Sequence, residues 1–261
     1  MIKSILFISL VLNILLIIII NKKKIKKFFY KNKIKTVSVE EVNPIFKPKI
    51  IKDNTKFPSE EHVAKMVLIH DKQYNVKGLV SDYETWILAI MSKISLNIFE
   101  FGTCSGKTSY IMALNSPSNA KIKTITLNEE QASKLNFIKG ESKSAYSNVK
   151  NESTYNEFIF SGKDCEYKIE FSYKNSMELD INNLKNKYDL IFIDGGHTYS
   201  VIKNDTEKAL EMVKKNGYIF WHDYIQGKTS TKDVYKYLNY LSKEIKICHI
   251  KDTNMCFFKK E

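Results

Sequence analysis

From Asn97 to Phe258 short apolar runs alternate with segments of helical periodicity. Asn97–Phe101, Lys121–Leu127, Tyr167–Phe171, Tyr188–Asp194 and Tyr218–His222 read as strands. Lys107–Leu114, a segment starting near Glu129, Val201–Val213 and Lys232–Leu241 read as helices. Strands that are separated by helices are joined by crossovers, so they pair in parallel, and a parallel sheet needs helices over both faces. The last two runs, KICHI and MCFF, are separated only by KDTN, which closes the sheet with an antiparallel hairpin. The expected fold is therefore α/β, a doubly wound, mostly parallel, seven-stranded sheet ending in a hairpin. Ser81-Asp82-Tyr83-Glu84 is a capping box that opens a helix ahead of the first strand.

The rest of the chain is unlike this core. Ser4 to Ile20 is an almost unbroken apolar run, at the short end of what crosses a bilayer as a helix. It lacks a small-residue cleavage site and is followed, not preceded, by a dense run of lysines from Lys22 to Lys35, which argues against a cleaved signal. The expectation is a single-pass membrane anchor over 1–21. A basic juxtamembrane segment and linker follow over 22–58, marked by Pro44, Pro48 and Pro58, and then a domain over 59–261. The positive-inside rule places that domain in the cytoplasm.

The formal charge of +12 belongs mostly to the tail, since residues 1–56 carry 13 lysines against three acids and the remainder is close to balanced. All 41 basic residues are lysine. Without arginine the chain has no guanidinium fork for guanine or phosphate, so no nucleic-acid partner is expected. Four cysteines without a C-x-x-C pair or zinc spacing read as reduced thiols. Residues 137–165, rich in Ser, Asn, Lys and Tyr, form an insertion too long for an ordinary connection, which suggests a lid or disorder.

Two motifs carry the chemistry. FEFGTCSGKTSY, residues 99–110, imitates a phosphate-binding loop through Gly102, Gly106, Lys107 and Thr108, but only three residues separate its glycines where that loop needs four. The chain also reads LIFIDGGHTY through Asp194, His197 and Tyr199, and GYIFWHDY through Trp221, His222 and Asp223.

Together, Glu100-x-Gly102-x-x-x-Gly106, the IDGGHTY block with its downstream Asp205, the WHDY block and the closing hairpin resemble class I S-adenosylmethionine-dependent methyltransferases. The branch resembled is that of small-molecule O-methyltransferases related to the macrocin and cephalosporin-pathway enzymes, and the likeness runs from about Ser81 to Phe258. It implies a Rossmann-like fold with S-adenosylmethionine as cofactor and a small-molecule or glycosidic hydroxyl as acceptor. Glu100, Gly102, Thr103, Gly106, Asn128, Glu129, Asn175, Ser176 and Asp194 are the implied cofactor contacts. Asn128 and Asn175 stand where the family usually carries acids. Asp194, His197 and Asp223 are the implied catalytic residues, with His197 as general base. Magnesium on Asp194, His222 and Asp223 is the other implied route to an activated hydroxyl. A nucleotide hydrolase and a noncatalytic member of the methyltransferase fold are the competing readings. Trp221 is expected in the core and Asp205 near a solvated face.

Overall fold

The computed structural model describes residues 34–50, 56–57, 63–66 and 80–261. The expected anchor and its lysine-rich flank lie outside the described residues, and among the described residues no helix is long and apolar enough to cross a membrane.

The strands are β1 (Lys35–Val37), β2 (Lys49–Ile50), β3 (Lys56–Phe57), β4 (Asn97–Phe101), β5 (Lys121–Thr126), β6 (Ile169–Tyr173), β7 (Tyr188–Ile193), β8 (Val213–Trp221), β9 (Cys248–Ile250) and β10 (Cys256–Lys259). The helices are α1 (Asp82–Ser92), α2 (Lys107–Asn115), α3 (Glu129–Ser133), α4 (Lys143–Glu152), α5 (Tyr199–Met212) and α6 (Lys232–Leu241). One sheet of eight strands runs β1-β9-β10-β8-β7-β4-β5-β6. β8, β7, β4, β5 and β6 are parallel, and β10 is antiparallel to both β8 and β9. β2 and β3 pair separately.

Period-two alternation divides the core into two layers. Ile98, Leu190, Phe192 and Phe220 face one side with Ile87, Ile90 and Met112 from the helices. Phe99, Phe101, Ile191, Ile193 and Trp221 face the other with Ile202, Ala209 and Leu238. By the same alternation Glu100 shares the face of Ile98. A carboxylate is thereby driven into the sheet beneath α2.

Three expectations need correction. The sheet has eight strands, because β1 adds at the far edge, parallel to β9. Part of the segment read as linker is thus folded: Val37, Val39, Val42 and Phe46 are core residues. Pro44 opens a short 3-10 turn whose cap is the Asn43 side chain, so what read as linker punctuation is cap chemistry. The third strand lies two residues further on than expected, since Glu166–Lys168 make a 3-10 turn. Lys168 is drawn in there to donate 2.8 Å hydrogen bonds to Ala113 O and Ser116 O at the end of α2, where carbonyls lack helical partners. The 137–165 insertion is ordered and contains α4. Ser142 N donates to Asp233 Oδ2 at 2.9 Å, and Ile159 N to Ser105 O at 3.0 Å. Asn216 adopts left-handed geometry within β8, at φ 63°, which Asn tolerates.

Candidate active site

β4, β7 and β8 end side by side, and the turns leaving their carboxyl ends build the site. In doubly wound sheets this edge is where ligands bind. Gly102 leaves β4 with φ +100°, and a Cβ there would lie 2.2 Å from Asp194 O. Its glycine is required by the backbone of the neighbouring turn. Gly106, at φ +81°, caps α2 and is roofed by the Phe160 ring, 2.7 Å from where a Cβ would sit.

Glu100 is fully buried. Its carboxylate accepts hydroxyl hydrogen bonds from Thr108, Ser109 and Thr124, the last at 2.6 Å. Thr124 and Thr103 share a further 2.7 Å bond. Burial pushes the Glu100 pKa up to about 7, against the pull of those hydroxyls. Glu100 and Thr103 therefore fix the turn from beneath, and Glu100 does not line the cleft in front of it. A carboxyl whose folded pKa exceeds its unfolded value contributes stability below pH 4.5 that is lost as pH rises through 7. Glu100→Gln removes this titration. Urea unfolding should show the variant gaining about 2–3 kcal/mol on the parent between pH 4.5 and pH 8. A constant difference would mean that Glu100 does not titrate as its burial dictates.

The same bonds exclude a phosphate cradle. Lys107 Nζ donates to Val80 O at 2.8 Å, Thr108 is committed to Glu100, and phenylalanine covers Gly106.

The cleft is open to solvent on one side. Gly102, Cys104, Thr126, Leu127, Leu135, Asn175, Ser176, Met177, Asp194 and Gly195 line it, and Val149 and Glu152 close it from the insertion. Asn128 and Glu129 border an adjoining shallow pocket with Tyr155 and Tyr173. Asn128 Oδ1 accepts from Gln131 N at 2.8 Å, so this amide caps α3. Asn175 Oδ1 likewise accepts from Met177 N at 3.0 Å. Asp205 lies beside the cleft and not on a solvated face: it is 1% exposed, and burial raises its pKa to about 6. Trp221 is in the core as expected, its indole N–H donating to Thr206 Oγ1 at 2.8 Å.

Next to Asp194 on the cleft wall, His197 Nε2 stands 2.9 Å from Asp223 Oδ2. Asp194, His197 and Asp223 bring one ligand atom each within 4.8 Å of one another. His222, expected as a metal ligand with Asp194 and Asp223, is not in that set, and its Nδ1 lies 3.5 Å from Asp223 Oδ2. Its Nδ1 lies 3.1 Å from Asp194 Oδ1 and its Nε2 3.4 Å from Glu84 Oε2. Burial opposes charge on His222, but Asp194, Asp223 and Glu84 outweigh it and hold its pKa well above the ordinary histidine value. His197 is also raised, because Asp223 with Asp194 and Glu152 overcomes burial. Asp223 is held far below the ordinary carboxylate range by the two histidines despite its burial, and it occupies left-handed backbone at φ 60°, which Asp tolerates.

Two residues at this site escaped the sequence reading. Glu84 was visible only as the last member of a capping box. It is 1% exposed and braces His222, while accepting from Ser81 N at 2.9 Å and Asn254 N at 2.6 Å. Burial would raise its pKa, but the hydrogen bonds from His222 and Ser81 bring it down to about 2. Glu152 comes from the insertion. Burial lifts its pKa to about 6, with His197, Asp194 and Asp223 as its charged neighbours.

Residues 99–224 match the family model of a methyltransferase domain. An uncharacterized protein of Acanthamoeba polyphaga mimivirus is 32% identical over 68 residues, 26% of this chain and 31% of that protein. The chain therefore spans under a third of that relative's length. A candidate caffeoyl-CoA O-methyltransferase from Staphylococcus aureus superposes with a TM-score of 0.52 at 18% identity, over 73% of this chain and 88% of that one. A candidate O-methyltransferase from Klebsiella pneumoniae gives 0.51 at 13% identity, over 73% and 86%. The fold is that of the Rossmann-like α/β methyltransferases.

Proposed function

We propose that this chain is an S-adenosylmethionine-dependent methyltransferase acting on a hydroxyl of a small-molecule or glycosidic acceptor. The observation that carries this reading is the His197–Asp223 pair at 2.9 Å beside Asp194, which lines the cleft together with Gly102. The methyltransferase-domain match over 99–224 supports the reaction class. The cleft fits the cofactor: the backbone turns at Gly102 and Asp194 line it together with Asn175, Ser176 and Met177.

When bound, S-adenosylmethionine supplies a methyl group on a sulfonium, an electrophile that needs no further activation. The residues of this chain have to prepare the nucleophile. A neutral hydroxyl attacks poorly until it loses its proton, and the His197 imidazole is the group placed to accept it. Asp223 orients the ring and stabilises the imidazolium that forms. Asp194, braced by His222 and Glu84, holds negative charge beside the transferring centre.

The donor set of two carboxylates and one imidazole also fits a divalent cation. Asp194, His197 and Asp223 would hold it, and it would lower the pKa of a coordinated hydroxyl. His197 cannot be ligand and free base at once. Chelation of the purified enzyme separates the routes: turnover that survives removal of divalent ions assigns the proton to His197.

The tail supports a site of action at the cytoplasmic face of a membrane. Residues 1–33 fused to a soluble reporter should sediment with membranes and leave the reporter protected from protease added outside intact cells. Release of a shortened reporter into the medium would identify a cleaved signal in place of an anchor.

A further inference from the structure

The insertion has two faces, and only one is used by the cleft. Val149 and Glu152 turn inward. On the other side Phe137 is 38% exposed and Ile138 52% exposed. Phe137 packs edge-on against Tyr146 of α4, with ring centroids 5.9 Å apart, and the Tyr146 hydroxyl is tied to Leu135 O. Lys143 Nζ lies 6.0 Å from the Phe137 ring centre and Lys150 Nζ 5.3 Å from that of Tyr146. Lys139, the residue after Ile138, is exposed as well. Glu141 is the single acid between residues 134 and 150, and its carboxylate is turned away to accept from Ser200 N at 2.7 Å on α5. The outward face therefore combines an apolar tip, an aromatic pair and three lysines, with the Glu141 carboxylate turned away toward α5.

We infer that this face of the insertion docks on an anionic lipid surface, with Phe137 and Ile138 entering the interface and Lys139, Lys143 and Lys150 over the headgroups. The chemistry selects a bilayer over a single phosphate ligand. Lysines are point charges without the fork that grips one phosphate, and they suit a diffuse negative surface. An exposed isoleucine beside an aromatic ring gains from the headgroup–acyl boundary, whereas a nucleic acid offers no such apolar layer. The docking is independent of the reaction proposed above. Because the inner face of the same insertion closes the cleft, docking would also set the cleft against the membrane.

The test uses the full chain with Ile138→Cys carrying an environment-sensitive fluorophore. The parent chain taken through the same labelling serves as the blank. The protein is reconstituted into vesicles of phosphatidylcholine alone, or of phosphatidylcholine and phosphatidylglycerol in equal parts. The tail can hold the chain to both, so the label reports only the insertion. The expected result is a blue shift in the mixed vesicles, reversed by high salt and lost in Lys139→Glu/Lys143→Glu/Lys150→Glu, which still binds S-adenosylhomocysteine. An unshifted label in the mixed vesicles, or an equal shift in both compositions, would overturn the inference. So would a shift produced only by single-stranded RNA added to the phosphatidylcholine sample.

Discussion

Gly102→Val should abolish S-adenosylhomocysteine binding and lower the stability of the domain together. The Cβ added at 102 would sit 2.2 Å from Asp194 O and 2.6 Å from Asp194 C, at a φ of +100° that side chains rarely adopt. Relief requires the β4 turn to move away from the β7 turn. That movement breaks the 2.9 Å bonds from Gly102 N to Ile125 O and from Asp194 N to Phe101 O. A loss of at least about 3 kcal/mol is expected from strain and broken bonds together. Gly102→Ala, which carries the same Cβ, should show a smaller version of the same defect. Urea unfolding and ligand titration on one preparation check both effects. Parental stability and affinity in Gly102→Val would mean that the two turns are not in contact as described.

His197→Ala should lower turnover by about 10²- to 10⁴-fold with cofactor affinity nearly unchanged, the range for removal of a general base. The pH profile carries the sharper expectation. Asp223 holds the His197 pKa above the ordinary value, so the neutral base accumulates only on the alkaline side and activity should rise with pH through that raised pKa. Asp223→Asn removes the charge that sustains it. Its rate limb should move to lower pH while its maximal rate falls. Full activity in both variants would remove the proposed machinery, and an unmoved limb in Asp223→Asn would separate His197 from the observed titration.

The sequence revealed the centre of the fold because burial leaves a period there. β4, β7 and β8 are covered on both faces and read as apolar runs whose alternate residues sort into two layers. β1 was hidden because three residues in a proline-containing stretch make no periodic signal; its identity comes from pairing with β9, more than two hundred residues later. The family resemblance located Asp194, His197 and Asp223, but it could not say that His222 turns inward. That outcome depends on Glu84, 138 residues away along the chain. The capping box had already explained Glu84 as a local feature, yet the Oε2 that closes the box is also the oxygen that faces His222, while Oε1 accepts from Asn254 N. Asn128 and Asn175 were read as cofactor contacts standing where the resembled family usually carries acids. Their side-chain oxygens instead complete caps, which an amide does as well as an acid. Glu152 belongs to an insertion of mixed polar composition, and only the bonds that fasten the insertion to Ser105 and Asp233 bring it to the cleft.

Isothermal titration of the full chain with S-adenosylhomocysteine and, separately, with ATP tests the central claim most directly. The glycine turn and cleft lead to saturable binding of S-adenosylhomocysteine at one site per chain. ATP should give no comparable signal, because Lys107, Thr108 and Gly106 are spent on Val80, Glu100 and Phe160. Tight ATP binding without S-adenosylhomocysteine binding would contradict the account.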